Sequence, residues 1–71
     1  MTVKVVNHRG FTIMQVNDLK DMFSPEQVSE IASQGFFFVV NEMVVAPDEV
    51  IPKATEAYFR EAQARINNNV E

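Results

Sequence analysis

The sequence predicts a small α+β fold: an antiparallel sheet with two helices packed on one face, in the order ββαββα. Three observations carry this expectation. Runs of β-branched and aromatic residues at 3–7, 11–16, 36–40 and 43–46 are separated by turn residues, the pattern of strands. A fully specified helix start stands at Ser24, and a second stretch of helical spacing fills the last third of the chain. Finally, 71 residues suffice for one core, so the chain reads as a single domain over residues 1–71 with a frayed tail at 67–71.

The first strand, residues 3–7, is rich in valine, and the return strand spans residues 11–16. Asn7, His8, Arg9 and Gly10 form the turn between them, with asparagine at its first position and glycine free to take a positive φ. Pairing Val6 with Phe11, and so on to Val3 with Met14, places Val3, Val5, Thr12, Met14 and Val16 on one face. Lys4, Val6, Phe11 and Ile13 fall on the other. Both faces are largely apolar, whereas a solvated face should alternate to polar residues.

Residues 17–23 read as one helical turn, with Asn17 as its cap and Leu19, Met22 and Phe23 at helical spacing. At Ser24 the signals converge. Serine is the N-cap, Pro25 takes the first helical position, Gln27 completes a capping box, and Phe23 and Val28 bracket the start as a hydrophobic staple. Val28, Ile31 and Ala32 form the expected buried stripe, and Gly35 is the left-handed stop. Residues 36–40 then make a strand covered on both faces, returning through an Asn41-Glu42 turn into residues 43–46. One long strand over 36–46 is the alternative.

The last helix is expected to begin between Asp48 and Pro52, capped by Asp48. Ala54, Tyr58, Phe59, Ala62 and Ile66 form its inward stripe, and Glu56–Arg60 and Glu61–Arg65 make i,i+4 pairs on its solvated side. The asparagines at 67–69 end it.

Composition narrows the function. There is no cysteine, so no disulfide, and the lone His8 leaves no basis for a zinc site. A hydrophobic content of 46% with six Phe describes a folded chain rather than a disordered one. No apolar run has the length of a membrane span, and no basic-then-apolar segment opens the chain, so a cytoplasmic protein of the producing or host cell is expected. Nucleophilic catalysis needs a nucleophile beside an oriented base, and Ser24 and His8 provide neither. The carboxylates lack the spacing of a calcium loop, and two isolated glycines make no phosphate cradle. The expectation is a chain that is not an enzyme and carries no catalytic, cofactor or metal site.

The net charge of −4 is uneven: residues 18–49 carry seven acids against Lys20 alone. Residues 17–46 imitate a helix-helix-wing DNA-binding arrangement, but the helix that would enter the groove carries Glu26 and Glu30 and no cation, so nucleic acid is a poor partner. The favoured reading is a small acidic protein-binding module, an inhibitor or regulator that occupies a surface of a larger protein or complex. Its apolar patch is expected at Phe11, Ile13, Phe36, Phe37, Phe38 and Met43, and its acidic face at Asp18, Asp21, Glu26 and Glu30, the latter suited to a basic groove. A homodimer is expected because an apolar sheet face must be covered. The alternatives are a DNA-binding transcriptional regulator and a purely structural homo-oligomerising subunit. In size, acidity and lack of catalytic motifs the chain is similar to small phage-encoded inhibitors of host machinery, an analogy of composition that antitoxins and adaptors share.

Overall fold

The computed structural model describes residues 1–68, with side chains described through Ile66. It is an α+β fold. Strands β1 (Val3–Val6), β2 (Thr12–Val16), β3 (Phe37–Val40) and β4 (Met43–Val45) form one antiparallel sheet in the order β2-β1-β3-β4. Helices α1 (Pro25–Ser33) and α2 (Val50–Asn68), with 3₁₀ turns at Leu19–Asp21 and Pro47–Glu49, pack on one face of it. The expected tail at 67–71 lies outside the described residues beyond Asn68, and α2 itself continues through Asn67 and Asn68.

The first hairpin turns where its residues require. The Gly10 N–H donates to the Asn7 carbonyl at 2.9 Å, and Gly10 takes φ 86°. The Asn7 side chain accepts from the N–H groups of Arg9 and Phe11, at 2.9 and 3.0 Å. Its register departs from expectation. The Asn7 N–H donates to the Phe11 carbonyl, so the loop holds three residues rather than four, and Val6 faces Thr12. A bulge at Ile13 then shifts the ladder again, so that Val5 faces Met14 and Val3 faces Val16. A bulge of one residue leaves no signature in an apolar strand, so pairing by simple counting from the turn misses it.

Helix α1 forms as its residues dictate. The Gln27 N–H donates to Ser24 Oγ at 3.2 Å, and the Ser24 N–H donates to Gln27 Oε1 at 2.8 Å, closing the capping box. Gly35 ends it at φ 90°. In the turn before it, Asp18 rather than Asn17 is the cap: Asp18 Oδ1 accepts from the Lys20 N–H at 3.1 Å, while Asn17 Oδ1 accepts from Gln15 Nε2.

The second hairpin is a two-residue turn with positive φ at both Asn41 (46°) and Glu42 (70°), so the single long strand does not form. Asn41 also ties the hairpin to β1. Its N–H donates to the Thr2 carbonyl, and its Oδ1 accepts from the Thr2 N–H, both at 2.9 Å.

The core consists of Val3, Val5, Val16, Val28, Phe38, Val40, Val50 and Ala54. Phe38 meets Phe23 edge to face, with ring centroids 6.1 Å apart. Helix α2 enters this core through Val50 and Ala54, and Pro52 sits in its first turn, where a missing N–H costs nothing. Asp48 lies inside the 3₁₀ turn that precedes α2, and that turn begins at Ala46 without a side-chain cap. Phe59 and Ile66, expected to face inward, are exposed. The reason is phase: at about 100° per residue Phe59 stands about 140° and Ile66 about 120° round the helix from buried Ala54, while Tyr58 and Ala62 stay half-buried. The Glu56–Arg60 pair forms at 2.5 Å, whereas Glu61 takes the Met1 ammonium instead of Arg65.

Two substitutions check this local chemistry by thermal melting. Ser24→Ala removes one half of the capping box and should cost about 1 kcal/mol. Glu42→Gly relieves a left-handed backbone carried by a residue with a Cβ and should stabilise by about 0.5–1 kcal/mol, a rise of several degrees in Tm.

Candidate functional site

Opposite residues in an antiparallel ladder share a face, so the register assigns every strand side chain. Val3, Val5, Met14, Val16, Phe38, Val40, Met43 and Val45 face the helices. Lys4, Val6, Thr12, Gln15, Phe37, Val39 and Val44 face away from them, and no described segment packs there. On this open side Phe37 stands between Val6 and the end of β4, and Val39 stands between Lys4 and Val44. Phe37 is 52% exposed there and Val44 72%. The result is an apolar patch of Val6, Phe37, Val39 and Val44 over β1, β3 and β4, bordered on the β2 side by Lys4, Thr12 and Gln15.

Sequence reasoning expects six residues in one apolar patch, and the structure divides them. Phe37 belongs to the open surface; Phe11, opposite Asn7, falls on the Val5 side of the hairpin, and Ile13 is the exposed, unpaired residue of the bulge. Phe38 does not: it is 1% exposed, the largest side chain of the core. Alternation along β3 sends Phe36 to the same side as Phe38, and Phe36 packs half-buried against the core. Met43 is exposed, but on the helix side, where it lines a groove of about 310 Å³ with Val45, Lys53, Glu56 and Arg60. Val44 was missed. The Asn41-Glu42 turn places it opposite Val39 on the same face as Phe37, so the two-residue turn was the signal that could have found it.

The four acidic residues also divide, by role. Asp18 caps its own turn, and Asp21 sits exposed in that turn. Glu26 and Glu30 are exposed one helical turn apart on α1. All four lie on elements of the helix side, and no ion pair among the described residues involves them. The acidic residues and the open sheet face are therefore on opposite sides of the molecule. Among the described residues, no three of the His, Asp or Glu side chains are placed to share a metal ion.

The arrangement behind the DNA-binding alternative is not formed. Residues 17–23 contain a three-residue 3₁₀ turn rather than a helix, and residues 36–46 are no free wing, because β3 is an inner strand paired to β1. His8 and Arg9 are exposed at the first hairpin tip, and Lys4 stands half-buried on the open face. A further groove, about 540 Å³, lies between the start of α1 and the start of α2 and is lined by all three prolines, Pro25, Pro47 and Pro52, with Val28 and Ile51. No helix among the described residues is long and apolar enough to cross a membrane.

No known protein family, curated protein or solved structure matches the chain.

The two neighbouring phenylalanines of β3 test the face assignment. Phe38→Ala should cost about 3–5 kcal/mol and leave much of the protein unfolded at room temperature, while Phe37→Ala should cost less than about 1 kcal/mol. Chemical denaturation followed by circular dichroism gives both values.

Proposed function

We propose that the chain is a small, non-enzymatic protein-binding module that works in the cytoplasm of the producing or host cell. It acts as an inhibitor or regulator by occupying a basic surface of a larger protein or complex. The observation that carries this reading is the acidic helix side. Asp21, Glu26 and Glu30 are exposed there without an ion pair among the described residues, beside Asp18 in its turn. Charges left unpaired in solvent raise the rate of encounter with an oppositely charged groove and bias its orientation.

Two further features support it. The side chains offer no nucleophile with an adjacent base, and the helix that would have to approach phosphates carries acids only. A DNA-binding regulator built on residues 17–46 would need cations on α1, and there are none. The reading includes a homodimer, since the open sheet face is apolar on a chain of 8.1 kDa.

The test is a variant with Asp21, Glu26 and Glu30 changed to Lys, leaving the capping Asp18 in place. Its circular dichroism should match the parent. In pull-downs from lysate, the parent should recover a basic protein at low salt and lose it at high salt. Association of the variant with that protein should be slower by about tenfold or more, with its salt dependence flattened. Unchanged association, or recovery of duplex DNA with no protein, would overturn the proposal.

A further inference from the structure

The open sheet face has an occupant that its charge and size select. We infer that it is covered by a second copy of the same chain, packed sheet to sheet about a two-fold axis. This rests on the reading of the chain as a dimeric binding module and names the surface that makes the dimer.

The first argument is charge. The chain carries ten acids and a net charge of −4, so two copies repel one another over most of their surfaces. The acids are not spread evenly. Eight stand on the helices and 3₁₀ turns of the helix side, Glu42 is at a hairpin tip, and Glu71 lies outside the described residues. No strand contains a carboxylate, and Lys4 is the one charged residue on any strand. The open face is therefore where two copies of an acidic protein meet with the least like-charge repulsion. For a basic partner the same face is a poor choice, because it presents no anion within it. Lys4, on inner strand β1 between Gln15 and Val39, is the one charge on the face, and it shares a depression with Glu42, Thr2, Gln15 and Asn41.

The second argument is area. On ordinary side-chain areas, the seven residues of the open face expose about 500 Å² per copy, so a dimer removes roughly 1,000 Å², the threshold for specific association. Each copy thereby covers close to a tenth of its 5185 Å². Aligned stacking of two twisted sheets is an established packing mode, and a two-fold axis requires only that one patch be complementary to itself. The other exposed apolar residues do not make such a patch. Phe59 and Ile66 stand two turns apart on α2, about 10 Å along its axis, with shorter or polar side chains between them.

Sedimentation equilibrium on the purified full chain, from micromolar to millimolar concentration, tests this without any partner, so its failure is separate from failure of the partner proposal. The parent should give about 16 kDa, twice the 8.1 kDa chain, and dissociate toward the low end of the series. Phe37→Lys and Val44→Lys, at exposed positions of the open face, should each sediment as monomers at all but the highest concentrations, a shift of tenfold or more in the dissociation midpoint at order-of-magnitude precision. Their circular dichroism should remain that of the parent, and Val44→Lys supplies the answer should Phe37→Lys fail to fold. Phe59→Lys on α2 and Met14→Lys on the helix side of edge strand β2 should remain dimeric. A parent that is monomeric throughout overturns the inference. So does a dimer lost in Met14→Lys but kept in Phe37→Lys, which would mean pairing through the β2 edge, or one lost in Phe59→Lys, which would mean pairing through α2.

Discussion

Burial of Phe38 is the interaction on which the rest of this structure depends. The core holds six valines and one alanine besides it, so Phe38 is its only large side chain. It sits on inner strand β3, opposite Val5 on one side and Val45 on the other, and meets Phe23 edge to face across the entry to α1. One ring thus joins three strands to the segment that starts the first helix. Its position also dictates the position of its neighbours. With Phe38 turned inward, alternation turns Phe37 outward, and no rearrangement of the same strand can bury both on one side. The exposed aromatic on the open face follows directly from the buried one.

A core of this size leaves much apolar surface unburied. Hydrophobic residues make up 46% of the chain, yet eight form the core. Small domains bury a smaller fraction of their surface than large ones, and the remainder has to lie somewhere. Helices cover one sheet face and their outer sides take the acids, while the other face keeps Val6, Phe37, Val39 and Val44. The two surfaces are held apart by the sheet itself, whose two sides cannot exchange residues without a register slip.

The elements specified by near neighbours were legible in the sequence. Ser24, Pro25 and Gln27 lie within four positions and make their bonds to one another, so nothing distant can alter the start of α1. Gly10 and Asn41 likewise select their turns locally. What was not legible depended on partners far along the chain. The Ile13 bulge answers to the pairing of β1 with β2, and the identity of the Phe that points inward answers to which face the helices cover. In α2 the expected stripe holds at Ala54, Tyr58 and Ala62 but not at Phe59 and Ile66, which stand about 140° and 120° round the helix from Ala54. Of the acidic candidates, Asp21, Glu26 and Glu30 are exposed, while Asp18 is half-buried as the cap of its turn. Their separation from the apolar residues could be seen only once the sheet had two distinct sides.

That separation gives the two proposals a common logic. A surface that combined acids with exposed phenylalanines would offer one partner both steering and dehydration, and a second copy would compete for it. Placing them on opposite sides removes the competition. A dimer joined through the open faces directs both helix sides outward, so each assembly presents two acidic surfaces about a two-fold axis. Two sites on one rigid body bind a partner with repeated or symmetric basic surfaces far more tightly than one site does, because the second contact forms at high effective concentration. For a chain whose single acidic surface is small and whose exposed charges are screened by physiological salt, this is the physical route from weak individual contacts to effective occupation of a larger protein.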